Sequence, residues 1–275
     1  MKKLFLTEIA LFSMLATAQA AQAEPASVTL AAHSDVNSVS PQSASAKPVI
    51  VTPPLLELDG KPQPEPLVVP EIKTIVIDPG HGGSNEGAIG TAGIHEKYLT
   101  LKLALVLADR LRERFPEAKI ILTRESDQFL SLSDRIAIAN DAQADLFLSL
   151  HFNSSLNPLA IGFESFYAGD FAQQESERLG DAEDVREAKK KTEPYAQFMA
   201  ECFNHAMGKR FNVLDRGVKP GDYTVLTRAL VPAVVLEFGF LSNAEEGLEL
   251  IKPEHQSKMI DALVEAVSRY QKGHS

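Results

Sequence analysis

A single cysteine, Cys202, is all the thiol the chain has. One thiol cannot form an internal disulfide, so a hydrophobic core rather than covalent staples must hold the fold. Cys202 lies in "PYAQFMAECFNHAMGKRF" at apolar helical spacing and reads as a small buried hydrophobe, not a nucleophile. A basic surplus is missing too: 27 Lys and Arg face 37 Asp and Glu, a net charge of −10. That leaves no basic stripe to neutralise phosphates, which excludes nucleic acid as a partner. There is no internal repeat. There is also no apolar run long enough to cross a bilayer comfortably. The best candidate, residues 4–18, is short and interrupted by Glu8. Lys2 and Lys3 precede it, and Ala-Gln-Ala follows it twice, ending at Ala20 and Ala23. This is the pattern of a secretory signal peptide over residues 1–23, and it predicts export to the periplasm or cell envelope.

Glycine is scarce in the next segment. Residues 24–70 contain nine of the sixteen prolines and one glycine, Gly60. Proline at this density blocks regular helix and interior strand, so the segment reads as an extended linker. From residue 72 the texture changes. "IKTIVID" is an apolar β-rich run, and "EKYLTLKLALVLADRLRERF" (96–115) is a helix buried on more than one side. Strands follow at 118–124, 145–153 and 162–168. Helices follow at 131–143, with Ser131 or Ser133 as N-cap, and at 194–211. "YTVLTR" (223–228) and "PAVVLEFGF" (232–240) read as strands, and two helices close the chain. Strands that alternate with helices and read as continuous apolar runs predict an α/β fold. The expected architecture is a mostly parallel sheet with helices on both faces, forming one catalytic domain over residues 71–275.

Ligands of such sheets bind beyond the carboxyl ends of the strands. "IVIDPGHGG" delivers His81 there, "LFLSLHFN" delivers His151 and "AVVLEFGF" delivers Glu237. Glu96 opens the helix after the glycine loop. Two imidazoles and a carboxylate make a catalytic zinc set with an open position, and a further carboxylate can move protons. Gly80, Gly82 and Gly83 allow the sharp turn that carries His81. "GHGGSNEG" lacks the spacing and the lysine of a phosphate-binding loop. His95, beside Glu96, is a rival ligand that spacing alone does not exclude. His33, His255 and His274 read as solvated, and His205 as the exposed side of its helix.

At these residues the chain resembles the zinc-dependent N-acetylmuramoyl-L-alanine amidases of the amidase-3 family. The resemblance runs from Lys73 to Tyr270. It is carried by "IDPGHGGSNEGAIG", "HEKYLTL", "LTRESDQFLSLSDRIAIAN", "ADLFLSLHFNSS", "GFESFY" and "VLTRALVPAVVLEFGFLSN". It implies one zinc ion held by His81, Glu96 and His151, which favours Glu96 over His95. It implies Glu237 as general base and Asn153 as a residue that holds substrate or orients the site. The implied reaction is hydrolysis of the amide between N-acetylmuramic acid and L-alanine in peptidoglycan. A zinc peptidase cutting within the stem peptide and a catalytically silent wall-binding regulator are the alternatives. Residues 171–193 are highly charged and longer than a tight connection requires. Some regulated members of the family carry a lid there that an activator protein displaces. A solvated surface helix or disordered loop is the expectation here, with a similar, shorter lid as the alternative.

Overall fold

The computed structural model describes residues 67–273. The signal-peptide expectation for 1–23, the linker expectation up to residue 66, and His33 and His274 lie outside the described residues. Six strands form one sheet in the order β2-β1-β3-β6-β4-β5. In chain order they are β1 (Thr74–Pro79), β2 (Lys119–Leu122), β3 (Leu146–Asn153), β4 (Phe163–Tyr167), β5 (Asp215–Pro220) and β6 (Ala233–Phe240). Every neighbouring pair is parallel except β4 with β6. The helices are α1 (Glu96–Arg114), α2 (Leu132–Asp141), α3 (Phe171–Leu179), α4 (Glu183–Arg210), α5 (Thr224–Thr227), α6 (Ala244–Leu250) and α7 (Pro253–Lys272).

Side chains alternate across a strand, so each strand feeds two cores. Ile75, Ile77, Leu146, Leu148, Leu150, Val234 and Leu236 pack with α1, α4 and α7. Val76, Phe147, Ala233 and Val235 pack on the other face with Ile136 of α2 and Val225 and Leu226 of α5. Burial on both faces explains why the strands read as continuous apolar runs. Leu67 and Val69, within the stretch expected to be linker, pack against the first of these cores. Cys202 is buried there, and burial pushes its thiol up to about 12, which leaves it an inert hydrophobe.

Three local readings change. "YTVLTR" is not a strand but the single turn α5. Val225 and Leu226 are consecutive yet both enter the same core; a strand would point them to opposite faces, and a helical turn does not. β5 was not expected, because "DRGVKP" has only one strong strand former and forms an edge strand with half-exposed residues. The helix expected over 194–211 begins earlier, at Glu183, and contains Pro194. Both Pro194 and Lys190, whose carbonyl loses its partner there, are exposed, so water can satisfy the break. Ser131 is the cap of α2, in a reciprocal capping box with Asp134. His205 is exposed as expected, whereas His255 is half-buried against the Phe211 ring at a centroid distance of 4.5 Å.

Candidate active site at the carboxyl rim

β1, β3 and β6 end at the same edge of the sheet. His151 and Glu237 are register partners across β3 and β6. His81 follows β1 in the glycine loop, and Glu96 is the first residue of α1. Ligand atoms of His81, Glu96 and His151 lie within 4.8 Å of one another. His81 Nε2 is 3.0 Å from Glu96 Oε2, and His151 Nδ1 is 3.0 Å from Glu96 Oε1. The two rings meet edge to face. Backbone N–H groups of Ala88 and Phe152 donate to the two Glu96 oxygens at 2.8 and 2.9 Å. Burial opposes charge on Glu96, but the His151 and His81 hydrogen bonds more than offset it and hold the carboxyl well below its usual range. Burial would lower the His151 pKa, yet Glu96 and then Glu237 raise it. A cation in the centre of this group would meet one ionised carboxylate and two imidazoles, a donor set suited to zinc. Asn85 Oδ1, 2.9 Å from His81 Nδ1, fixes that ring as an outer partner does in metal sites.

The loop that carries His81 is held from behind by two buried arginines. His81 itself has φ 62, an uncommon conformation for a residue with a side chain. Arg135 of α2 donates to the His81 carbonyl at 2.6 Å and the Pro79 carbonyl at 2.8 Å. Arg124 donates to the Pro79 carbonyl at 3.0 Å and the Gly80 carbonyl at 2.9 Å. Asp78, buried under the loop, accepts from Arg135, Thr123 and Ser149. Every polar atom of this network has a partner, as burial requires. Gly80 has a steric reason: a Cβ there would sit 2.2 Å from the His151 ring. These arginines were part of the sequence resemblance but carried no assigned role. The available signal was a charged residue on the otherwise apolar face of a short helix, next to Ile136 and Ala139.

Glu237 lacks such company. It is buried at 8% exposure, and its Oε2 has no hydrogen-bond partner. Burial pushes its carboxyl up to about 7; His151 opposes the shift, and Glu96 and Glu164 add to it. A carboxyl near neutrality can both accept and donate a proton at physiological pH. Glu164 is its register partner on β4, and because β4 runs against β6 it is the beginning of β4 that reaches the rim. Asn153, expected to touch substrate or orient the site, donates from Nδ2 to Glu164 Oε1 at 2.5 Å. Arg216 and Lys219 of β5 pair with Glu164 Oε2. The cleft beside the His81, Glu96 and His151 group is lined by His81, Asn85, Phe129, Leu132, His151 and Tyr223, among others. A larger hollow at the opposite, amino end of the strands, lined by Val69, Tyr195 and Tyr270, contains none of these groups.

Residues 75–269 match the profile of the N-acetylmuramoyl-L-alanine amidase family, amidase-3. The chain belongs to this family. The Escherichia coli N-acetylmuramoyl-L-alanine amidase AmiA is 31% identical over 233 residues, covering 74% of this chain and 80% of AmiA. The catalytic domain of the amidase CwlV from Paenibacillus polymyxa superposes with a TM-score of 0.60 at 30% identity, over 73% of this chain and 99% of that domain. The CwlD amidase of Clostridioides difficile, solved in complex with the GerS lipoprotein, gives 0.59 at 26% identity over 73% and 98%.

Within this amidase-3 chain, two expectations need restating. His95 occupies the N-cap position of α1 without a side-chain capping bond, and its ring turns to Glu86, 3.3 Å away, rather than to the His81, Glu96 and His151 group. Residues 171–193, read as a surface helix or loop with a lid as the alternative, form α3 and the first turns of α4, and none of them lines the cleft. Buried Lys189 ties Asp181 and Ser176 together, and Glu175 pairs with Arg228 just after α5 at 2.8 Å. The segment therefore braces the wall of the cleft instead of covering it.

Proposed function

We propose that this chain is a zinc-dependent peptidoglycan amidase that hydrolyses the bond between N-acetylmuramic acid and L-alanine of the stem peptide. Family membership supports the activity. The observation that carries the mechanism is Glu237, a buried carboxyl with an unpartnered oxygen and a near-neutral pKa, on the strand beside His151. His81, Glu96 and His151 would hold the zinc ion. When bound, it supplies Lewis-acid activation of the scissile carbonyl and of water. Glu237 accepts the proton of the attacking water, then donates it to the leaving nitrogen of L-alanine. Asn153 stays in place through Glu164 and offers its remaining amide surface to substrate.

Relatives that act on the wall support export, in line with the signal-peptide pattern of residues 1–23. Among the described residues, no helix is long and apolar enough to cross a membrane. The CwlD complex supports a role for an activator protein. Here such a partner would act at 171–193 through α5, whose neighbour Tyr223 lines the cleft. Deleting α3 should then change basal turnover; unaltered turnover removes the segment from regulation. The central test is mass analysis of products from a defined muramoyl-pentapeptide. An intact peptide beginning with L-alanine supports the amidase, and fragments cut inside the peptide replace it with a peptidase.

A further inference from the structure

The amidase reading leaves two cations at the rim, Arg216 and Lys219, without a duty. Glu164 is buried at the start of β4, while Arg216 and Lys219 beside it keep 32% and 39% of their side chains exposed. Glu164 neutralises one positive charge, and two are present. Lys219 makes a hydrogen bond to Glu164 alone among the described residues, so two of its three N–H groups face outward. Arg216 uses Nε for Glu164 and Nη1 for the Ile161 carbonyl, which leaves Nη2 open. Its guanidinium lies over the Phe240 ring, 4.9 Å from the centroid, which fixes its plane. Glu246 also faces Arg216 and offsets part of its charge, while its oxygens accept from the N–H groups of Gly162 and Phe240, so Lys219 is the less compensated of the two cations.

The sheet order gives this pair a direction. Across the rim the sequence of groups is His81 and His151, then Glu237, then Glu164, then Arg216 and Lys219. A carboxyl that protonates the leaving nitrogen must lie on the leaving-group side of the scissile bond. On the amidase reading, a peptide leaving on the Glu237 side would extend over β6 toward β4 and β5, with the muramoyl sugar on the α2 side. Two strand spacings take the path roughly 10 Å from Glu237 to β5. An extended peptide advances about 3.5 Å per residue, so long cationic side chains on β5 meet a group one or two residues past the cut. We propose that Arg216 and Lys219 form a carboxylate subsite that reads the free α-carboxylate of the second stem-peptide residue, with Glu164 as the positioning residue that holds them. The inference rests on the amidase reading. It makes the pair a determinant of specificity, not of the chemical step.

The test uses the zinc-loaded full chain and two muramoyl-pentapeptides that differ only at the second residue, D-glutamate or its α-carboxamide. A lost charge-assisted contact predicts a KM about tenfold higher for the carboxamide with kcat little altered. The ratio of kcat/KM between the two substrates should fall to about one in Lys219→Met,Arg216→Met and stay high in Lys219→Arg. Each single Met variant leaves one cation on Glu164 and carries the test if the double variant does not fold. Equal KM values in the unaltered chain overturn the subsite, as does an undiminished ratio in the Met variants. Cleavage of neither substrate overturns the amidase reading itself, and this inference with it.

Discussion

Glu96 and Glu237 stand on the same rim and have opposite lives. Glu96 has four partners: two imidazoles and two backbone N–H groups. Glu237 has an oxygen with none. Both are buried, so burial alone does not decide what a carboxyl becomes. Hydrogen-bond partners turn one into a permanent anion that can hold a metal. Their absence leaves the other a weak acid that can trade protons near pH 7. Substitutions that exchange or remove these partners test the division.

The largest effect should come from Glu237→Gln, which keeps shape and removes proton exchange. Turnover should fall about 10³-fold while zinc content, read by metal analysis, stays at the parent level. Glu96→Gln should do the reverse, losing zinc first and activity as a consequence. Next comes Arg135→Met, which leaves Asp78 buried without its cation. A loss of about 3–5 kcal/mol in urea unfolding is expected. A stability equal to the parent's would show that Thr123 and Ser149 suffice for Asp78. Asn85→Ala removes only the outer partner of His81 and should weaken zinc binding about tenfold in chelator competition, with the unfolding midpoint of the zinc-free protein unmoved.

The remaining expectations concern pH dependence. The folded pKa of Glu237 lies above its unfolded value of 4.5, at about 7. Its contribution to stability is therefore fully present below pH 4.5 and is lost as pH rises through 7. At pH 8 the zinc-free Glu237→Gln protein should be more stable than the parent by about 3 kcal/mol, and by nothing at pH 4. Glu96 runs the other way: its stabilisation is present above its unfolded value and is lost as pH falls through its depressed folded pKa. Glu164→Gln removes a negative neighbour of Glu237 and should move the acid limb of the kcat/KM profile to lower pH. A limb that stays put would show that Arg216 and Lys219 already screen Glu164 completely.

The convergence of His81, His151 and Glu237 was readable because each residue ends an apolar run, and parallel strands bring their ends to one edge. Glu164 escaped that logic. "GFESFY" reads the same in either direction, and only the antiparallel pairing with β6 puts its beginning at the rim. Arg124 and Arg135 were equally silent, since nothing local says that a charge will be spent on loop carbonyls 44 to 56 positions away. In "YTVLTR" the β-branched residues promised a strand, but the core needed two consecutive apolar side chains on one side. Local preference lost to packing there.

β6 lies in the middle of the sheet, between β3 and β4, although it is the last strand to be made. The strand that completes the sheet is thus also the one that brings Glu237 beside His151. His81 and Glu237 are about 156 residues apart in the chain, and no shorter portion contains both. A ribosome must make every residue through Glu237 before His81, Glu96, His151 and Glu237 can come together.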